Sequence, residues 1–164
     1  MLSEGAFFNF GVMPSIWSKC LRKDVAKRVY ADIPDEISLG EDVAAVYPAL
    51  LISESVYMSD YCGYMYRSNP DSMTRTYNKM LYTHLLNLLS HLKAVEEKTS
   101  CKFGEQLDWY AFFLLRCAVT NELKYNQQGN YFTRRKSLIR YLNNDLFVSA
   151  MKNCRFDSIK NRIA

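Results

Sequence analysis

Two apolar stripes at helical spacing constrain this chain more than any other feature of it. Leu81, Leu85, Leu88, Leu92 and Val95 recur every three to four residues between about residues 75 and 97, and Leu107, Ala111, Leu114 and Ala118 do so between about residues 105 and 125. Apolar residues at that period gather on one side of a helix, and such a side has to be covered by another element. Gly104 and the polar run Asn126-Gln127-Gln128-Gly129-Asn130 part these helices from their neighbours. Two shorter helices are expected over 134–142 and 145–154, with Thr133 and Asn144 placed to cap them. The second half of the chain therefore reads as an antiparallel helical bundle.

The rest of the composition fits a folded chain. With 164 residues, 49% hydrophobic and 14% aromatic, the sequence can bury a real core and is not disordered. Five cysteines, odd in number and widely spaced, suggest neither a disulfide framework nor a zinc site, and read as reduced thiols of a cytoplasmic protein. No run of residues is long and apolar enough to span a membrane, and the first residues, with Glu4 and no early Lys or Arg, do not read as a signal peptide. From Tyr131 onward eight Lys and Arg side chains face only Asp145 and Asp157, so a basic tail follows a slightly acidic remainder and calls for an anionic neighbour.

The first half alternates in character. Phe7-Phe8-Asn9-Phe10 is an aromatic, extended lead, residues 16–19 fit a strand or a turn, and a basic helical segment is expected over 24–30. Residues 55–58 and 61–67, rich in β-favouring tyrosines, read as two short strands around Ser59-Asp60, with Gly63 a bulge and 68–72 a loop. The class expected overall is mainly α with a small β-sheet.

Between these lies the stretch with most chemical content. In Gly40-Glu41-Asp42 a glycine turn residue precedes two carboxylates at the start of an apolar-periodic run, Val43, Val46, Tyr47, Leu50 and Leu51, which predicts a helix to about residue 53 with Pro48 bending it or shifting its start. A first-turn carboxylate is favoured by the helix dipole, so Asp42 can stay charged, held rigidly and ready to accept a proton; the alternative is that it only offsets the dipole. Trp17 reads as a core residue or as a flat apolar platform under a sugar ring, and His84 and His91, seven apart on one helix, lack a third ligand for a metal.

Taken in order, Trp17-Ser18-Lys19, Gly40-Glu41-Asp42, Tyr64-Met65-Tyr66-Arg67 and Ser72-Met73-Thr74 make the chain resemble the C-terminal, acceptor-side half of bacterial family-2 glycosyltransferases, inverting GT-A enzymes that build cell-surface polysaccharides. The resemblance implies that Asp42 is the catalytic base with Glu41 beside it, that Trp17 and Lys19 lie by the acceptor, and that Arg67 meets the donor diphosphate. Lys19 as a surface charge and Arg67 as an ion-pair partner of Asp71 or Glu54 are the rival readings. It divides the chain into an acceptor-side remnant over 1–74 and a helical region over 75–164. The family's Asp-Asp-Gly-Ser and Asp-x-Asp stretches are absent from the sequence, so the nucleotide-sugar and the divalent metal, Mg or Mn, are expected only of a complete enzyme, and this chain alone is expected to transfer no sugar. The partners expected are a glycan or lipid-linked glycan acceptor, a second copy in a homodimer, and the inner face of the membrane through the basic tail; no nucleic-acid recognition motif is present. The competing expectation is a non-catalytic helical interaction module with a membrane- or partner-binding tail.

Overall fold

The structure, a computed structural model, describes residues 12, 14–61, 63–65, 67, 76–100 and 102–154. Its organising element is α2 (Glu41–Ile52), in which every residue from Val43 to Ala49 is buried. A helix apolar on all sides needs cover on all sides. α1 (Lys23–Ala31) packs on one flank, where Val29 meets Ala45 and Ala49, and α3 (Leu81–Lys98) packs on another. α4 (Glu105–Thr120) then lies against α3, and α5 (Tyr131–Leu142) and α6 (Asp145–Asn153) close over α4. Leu85, Leu88 and Leu92 of the first stripe and Leu107, Ala111, Leu114 and Ala118 of the second are all buried in one core with Val43, Val46 and Tyr47. Each large aliphatic side chain so covered contributes about 1.5–3 kcal/mol relative to exposure.

The ends of the helices follow local chemistry. Glu96 Oε1 accepts from the backbone N–H groups of Phe103 (2.7 Å) and Gly104 (3.0 Å), so α3 itself satisfies the entry to α4. α5 begins three residues before its expected start because Asn130, not Thr133, is the cap: Asn130 Oδ1 accepts from the N–H of Thr133 at 2.9 Å. Asn144 caps α6 as expected, accepting from Leu146 N–H at 3.1 Å. Past α4 the chain widens into a π-helical turn, Asn121–Tyr125, closed by Asn126 N–H on the Asn121 carbonyl at 3.1 Å.

The expected β-sheet is not there, and the α+β, GT-A-like class falls with it: among the described residues no strand occurs and the fold is all-helical. Residues 54–61 run on from α2 without helix or strand, and Tyr57, Met58, Tyr61 and Met65 are strongly exposed. Ser59-Asp60 supplies no glycine for the two-residue turn that suits a hairpin, and a lone hairpin with no face to bury is marginal in water. Residues 16–19 form a single 3₁₀ turn, Ile16–Ser18, rather than a strand. The aromatic lead Phe7–Phe10, the 68–72 loop and residues 155–164 of the basic tail lie outside the described residues.

Candidate functional site

Gly40 sets the geometry of the stretch that ends in Asp42. Its backbone is left-handed, with φ of 85°, which favours glycine, and a Cβ there would stand 2.6 Å from Leu88 Cδ2 and push that side chain aside. The preceding loop is held down by Ile37, buried in the core, and by Ser38, whose Oγ lies 3.1 Å from His84 Nδ1 and 3.3 Å from Nε2. These ties aim the loop along α3 and start α2 at Glu41. Glu41 is exposed, and Asp42 is half-buried in the first turn.

The 3₁₀ turn brings the second part of the site. Ile16 packs on the main core and the turn rests against α2, which leaves Trp17 on the outside, 44% exposed, with Tyr64 stacked on its ring at 4.2 Å. Lys19 folds back over the turn, donating from Nζ to the Ser15 carbonyl (2.9 Å) and to Ser18 Oγ (3.0 Å). Burial holds the Lys19 ammonium below the usual lysine range, and the nearby Asp42 carboxylate opposes that shift. Lys19 and Asp42, twenty-three positions apart in sequence, are thus electrostatic neighbours beside an exposed indole.

Arg67 is not drawn into this group: it is exposed, and among the described residues no hydrogen bond or ion pair joins it to Asp42, Trp17 or Lys19. His84 and His91 serve separate roles. His84 faces Ser38, while His91 is buried against α2, where burial pushes its imidazole pKa down and the Ala44 carbonyl partly opposes this. Pro48 explains that carbonyl, because proline has no N–H to offer the residue four positions earlier. Among the described residues no group of three or more His, Cys, Asp or Glu side chains is placed to hold a metal ion. Two clefts, of about 100 and 350 Å³, lie elsewhere, one between α1 and α3 around His91, Arg28 and Lys98, the other around Lys93, Asp108 and Asn153.

A polar centre unforeseen in the sequence lies at the π-helical turn. Glu122 is 1% exposed; Asn126 Nδ2 donates to its Oε1 at 2.7 Å, the Tyr141 hydroxyl donates to Oε2 at 3.3 Å, and Tyr77 reaches it as well. Beside it Asn121 and Asn78 exchange hydrogen bonds of 2.9 and 3.0 Å, and Arg134 Nη2 donates to the Asn126 carbonyl. The signal is present in the sequence: Glu122 stands four residues after Ala118, on the continuation of the second apolar stripe. A glutamate on a covered stripe is a buried glutamate with partners.

Compared with models of protein families, with curated proteins and with solved structures, the chain matches none. Among the described residues no helix is long and apolar enough to cross a membrane.

Proposed function

We propose that the chain carries the acceptor side and general base of a nucleotide-sugar-dependent glycosyltransferase for cell-surface polysaccharide, with the donor held by a second unit. The observation that carries this reading is the half-buried Asp42 carboxylate in the first turn of α2, close enough to feel the Lys19 charge, with Trp17 exposed on the turn that rests against α2. An acceptor hydroxyl is a poor nucleophile until a positioned carboxylate takes its proton as the new bond forms, which is worth about 10²–10⁴-fold in rate. Asp42 has the place for that: rigid, at the dipole-favoured end of α2, and open on one side. Trp17 and Tyr64 together offer flat apolar surface for a sugar face, and the Lys19 ammonium, two of whose three N–H donors go to Ser15 and Ser18, has one left for a ring hydroxyl. Glu41, one position earlier and exposed, adds negative charge beside Asp42.

Binding can be tested without the donor unit. Trp109 is buried and Trp17 exposed, so a Trp109→Phe background makes emission report on Trp17 alone. Titration with capsular or lipopolysaccharide oligosaccharides should quench or shift that emission, and Lys19→Ala should weaken the response. If no oligosaccharide alters Trp17 emission, and Asp42→Asn leaves transfer unchanged once a donor-binding half is supplied, the reading fails.

A further inference from the structure

The inward side of α5 is set by Arg134, Ser137, Leu138 and Tyr141, all buried or half-buried. On the opposite side Phe132 (79% exposed) and Ile139 (43% exposed) stand seven residues apart, nearly in line down the helix axis. Lys136 and Arg140 flank that line on one side, Arg135 and Leu142 on the other, and all four are exposed. Tyr131, exposed too, meets Phe132 edge-on at 5.5 Å at the start of the helix. Arg140 is held in place over the rings of Tyr82 (4.9 Å) and Tyr141 (5.4 Å). The helix, Tyr-Phe-Thr-Arg-Arg-Lys-Ser-Leu-Ile-Arg-Tyr-Leu, contains no acidic residue.

An apolar centre line bordered by cations has two complementary needs, an apolar medium a few ångströms deep and a layer of negative charge above it. The headgroup boundary of an anionic bilayer meets both at once. Nucleic acid would satisfy the cations and stack on Tyr131 or Phe132, but it has no use for Ile139 and Leu142. We infer that the outward face of α5 docks on an anionic bilayer surface, Phe132 and Ile139 entering the headgroup boundary while Arg135 and Lys136 meet lipid phosphates. This rests on α5 and is independent of the Asp42 reading.

The test uses the full chain, sedimented with vesicles of phosphatidylcholine alone or of phosphatidylcholine mixed with phosphatidylglycerol. The chain should pellet with the mixed vesicles and stay in solution with the neutral ones. Arg135→Ser with Lys136→Ser should weaken that partition about 20-fold, because each basic side chain near such a surface contributes a few-fold or more. Phe132→Ser with Ile139→Ser should weaken it about tenfold through lost apolar burial. Both pairs change exposed residues, and an unchanged thermal midpoint shows that each variant is folded. No sedimentation with the mixed vesicles overturns the inference, as does undiminished binding by either folded pair, and as does binding of single- or double-stranded DNA in place of vesicles.

Discussion

Glu122 has both carboxyl oxygens occupied, by Asn126 at 2.7 Å and Tyr141 at 3.3 Å, and is closed off from water by α5 and the π-helical turn. Asp42 stands half-exposed in the first turn of α2, with the Lys19 ammonium near enough to feel it and, among the described residues, no hydrogen-bonded side chain upon it. The first arrangement spends the acid's bonding capacity on holding α4, α5 and the segment before α3 together. The second leaves capacity for a ligand. A π-turn often marks a functional centre, yet the proposed site uses the less decorated carboxylate, and the two regions can be pulled apart by substitution.

The largest effect is expected at Glu122. Glu122→Leu leaves Asn126 Nδ2 and the Tyr141 hydroxyl as buried donors without an acceptor, at about 1–3 kcal/mol each. The net loss should be about 3 kcal/mol, a fall of about 6–12 °C in thermal midpoint for a chain of this length. Glu122→Gln, which keeps one acceptor, should lose about half as much. A Glu122→Leu protein as stable as the parent would mean that the network does not hold the bundle.

Gly40 links the regions, since it turns the loop into α2 and sits on Leu88 of the core. Gly40→Ala forces a left-handed Cβ, at about 1–2 kcal/mol, and pushes on Leu88 Cδ2. Urea denaturation should show a loss of about 2 kcal/mol, and in the same variant the Trp17 emission response to sugar should weaken because Asp42 moves with the helix start. Loss of stability with an unaltered sugar response would separate the loop from the site.

A smaller, pH-dependent effect belongs to His91. Burial places its folded-state pKa below the ordinary value of 6.5, so the native state binds fewer protons than the unfolded chain in that window. The stability associated with a neutral His91 is present above pH 6.5 and is lost as pH falls through the folded-state value. The charged groups around it do not rescue the cation: Arg28 and Lys98 share its cleft, and among the described residues Asp32 is the one carboxylate lining it. Urea midpoints measured from pH 7.5 down to pH 5 should fall more steeply for the parent than for His91→Gln. Parallel curves would mean that protonation of His91 is not what acid unfolds.

The helices are legible in sequence because an apolar repeat of three to four residues, kept up over about three turns or more, suits a helix and fits no strand. Leu85, Leu88, Leu92, Leu107 and Leu114 all lie where that repeat puts them. The tyrosines of 57–66 mislead because β-propensity reports fit to a half-buried pleated surface, and no such surface is offered to Tyr57 or Tyr61. The cap of α5 lies three residues from the expected one, since Asn130 and Thr133 are both acceptable caps and only the backbone decides between them. Glu122 escapes a reading that follows the stripe through its apolar members alone. At the site, the rigid start of α2 is readable from Gly40-Glu41-Asp42, but no local pattern encodes the approach of Lys19 to Asp42. That approach depends on how Ile16 anchors its turn to the core.

The smallest effect on stability is expected at Asp42, and it separates the two regions most cleanly. Asp42→Asn removes a charge from a helix first turn, worth about 0.3–1 kcal/mol at an exposed site, and leaves the backbone and the Gly40 turn as they are. Urea denaturation should therefore shift by about 1 kcal/mol or less. Asparagine is nearly the same shape and still accepts a hydrogen bond, so oligosaccharide binding at Trp17 should persist. What it cannot do is take a proton, and with a donor-binding half supplied, transfer should drop by about 10²–10⁴-fold. Glu122→Gln is the matched control: the same carboxyl-to-amide change should lower stability and leave the rate per folded molecule unchanged. If Asp42→Asn instead costs stability on the scale of Glu122, then Asp42 too is occupied in holding the fold, and the contrast between a spent carboxyl group and an available one disappears.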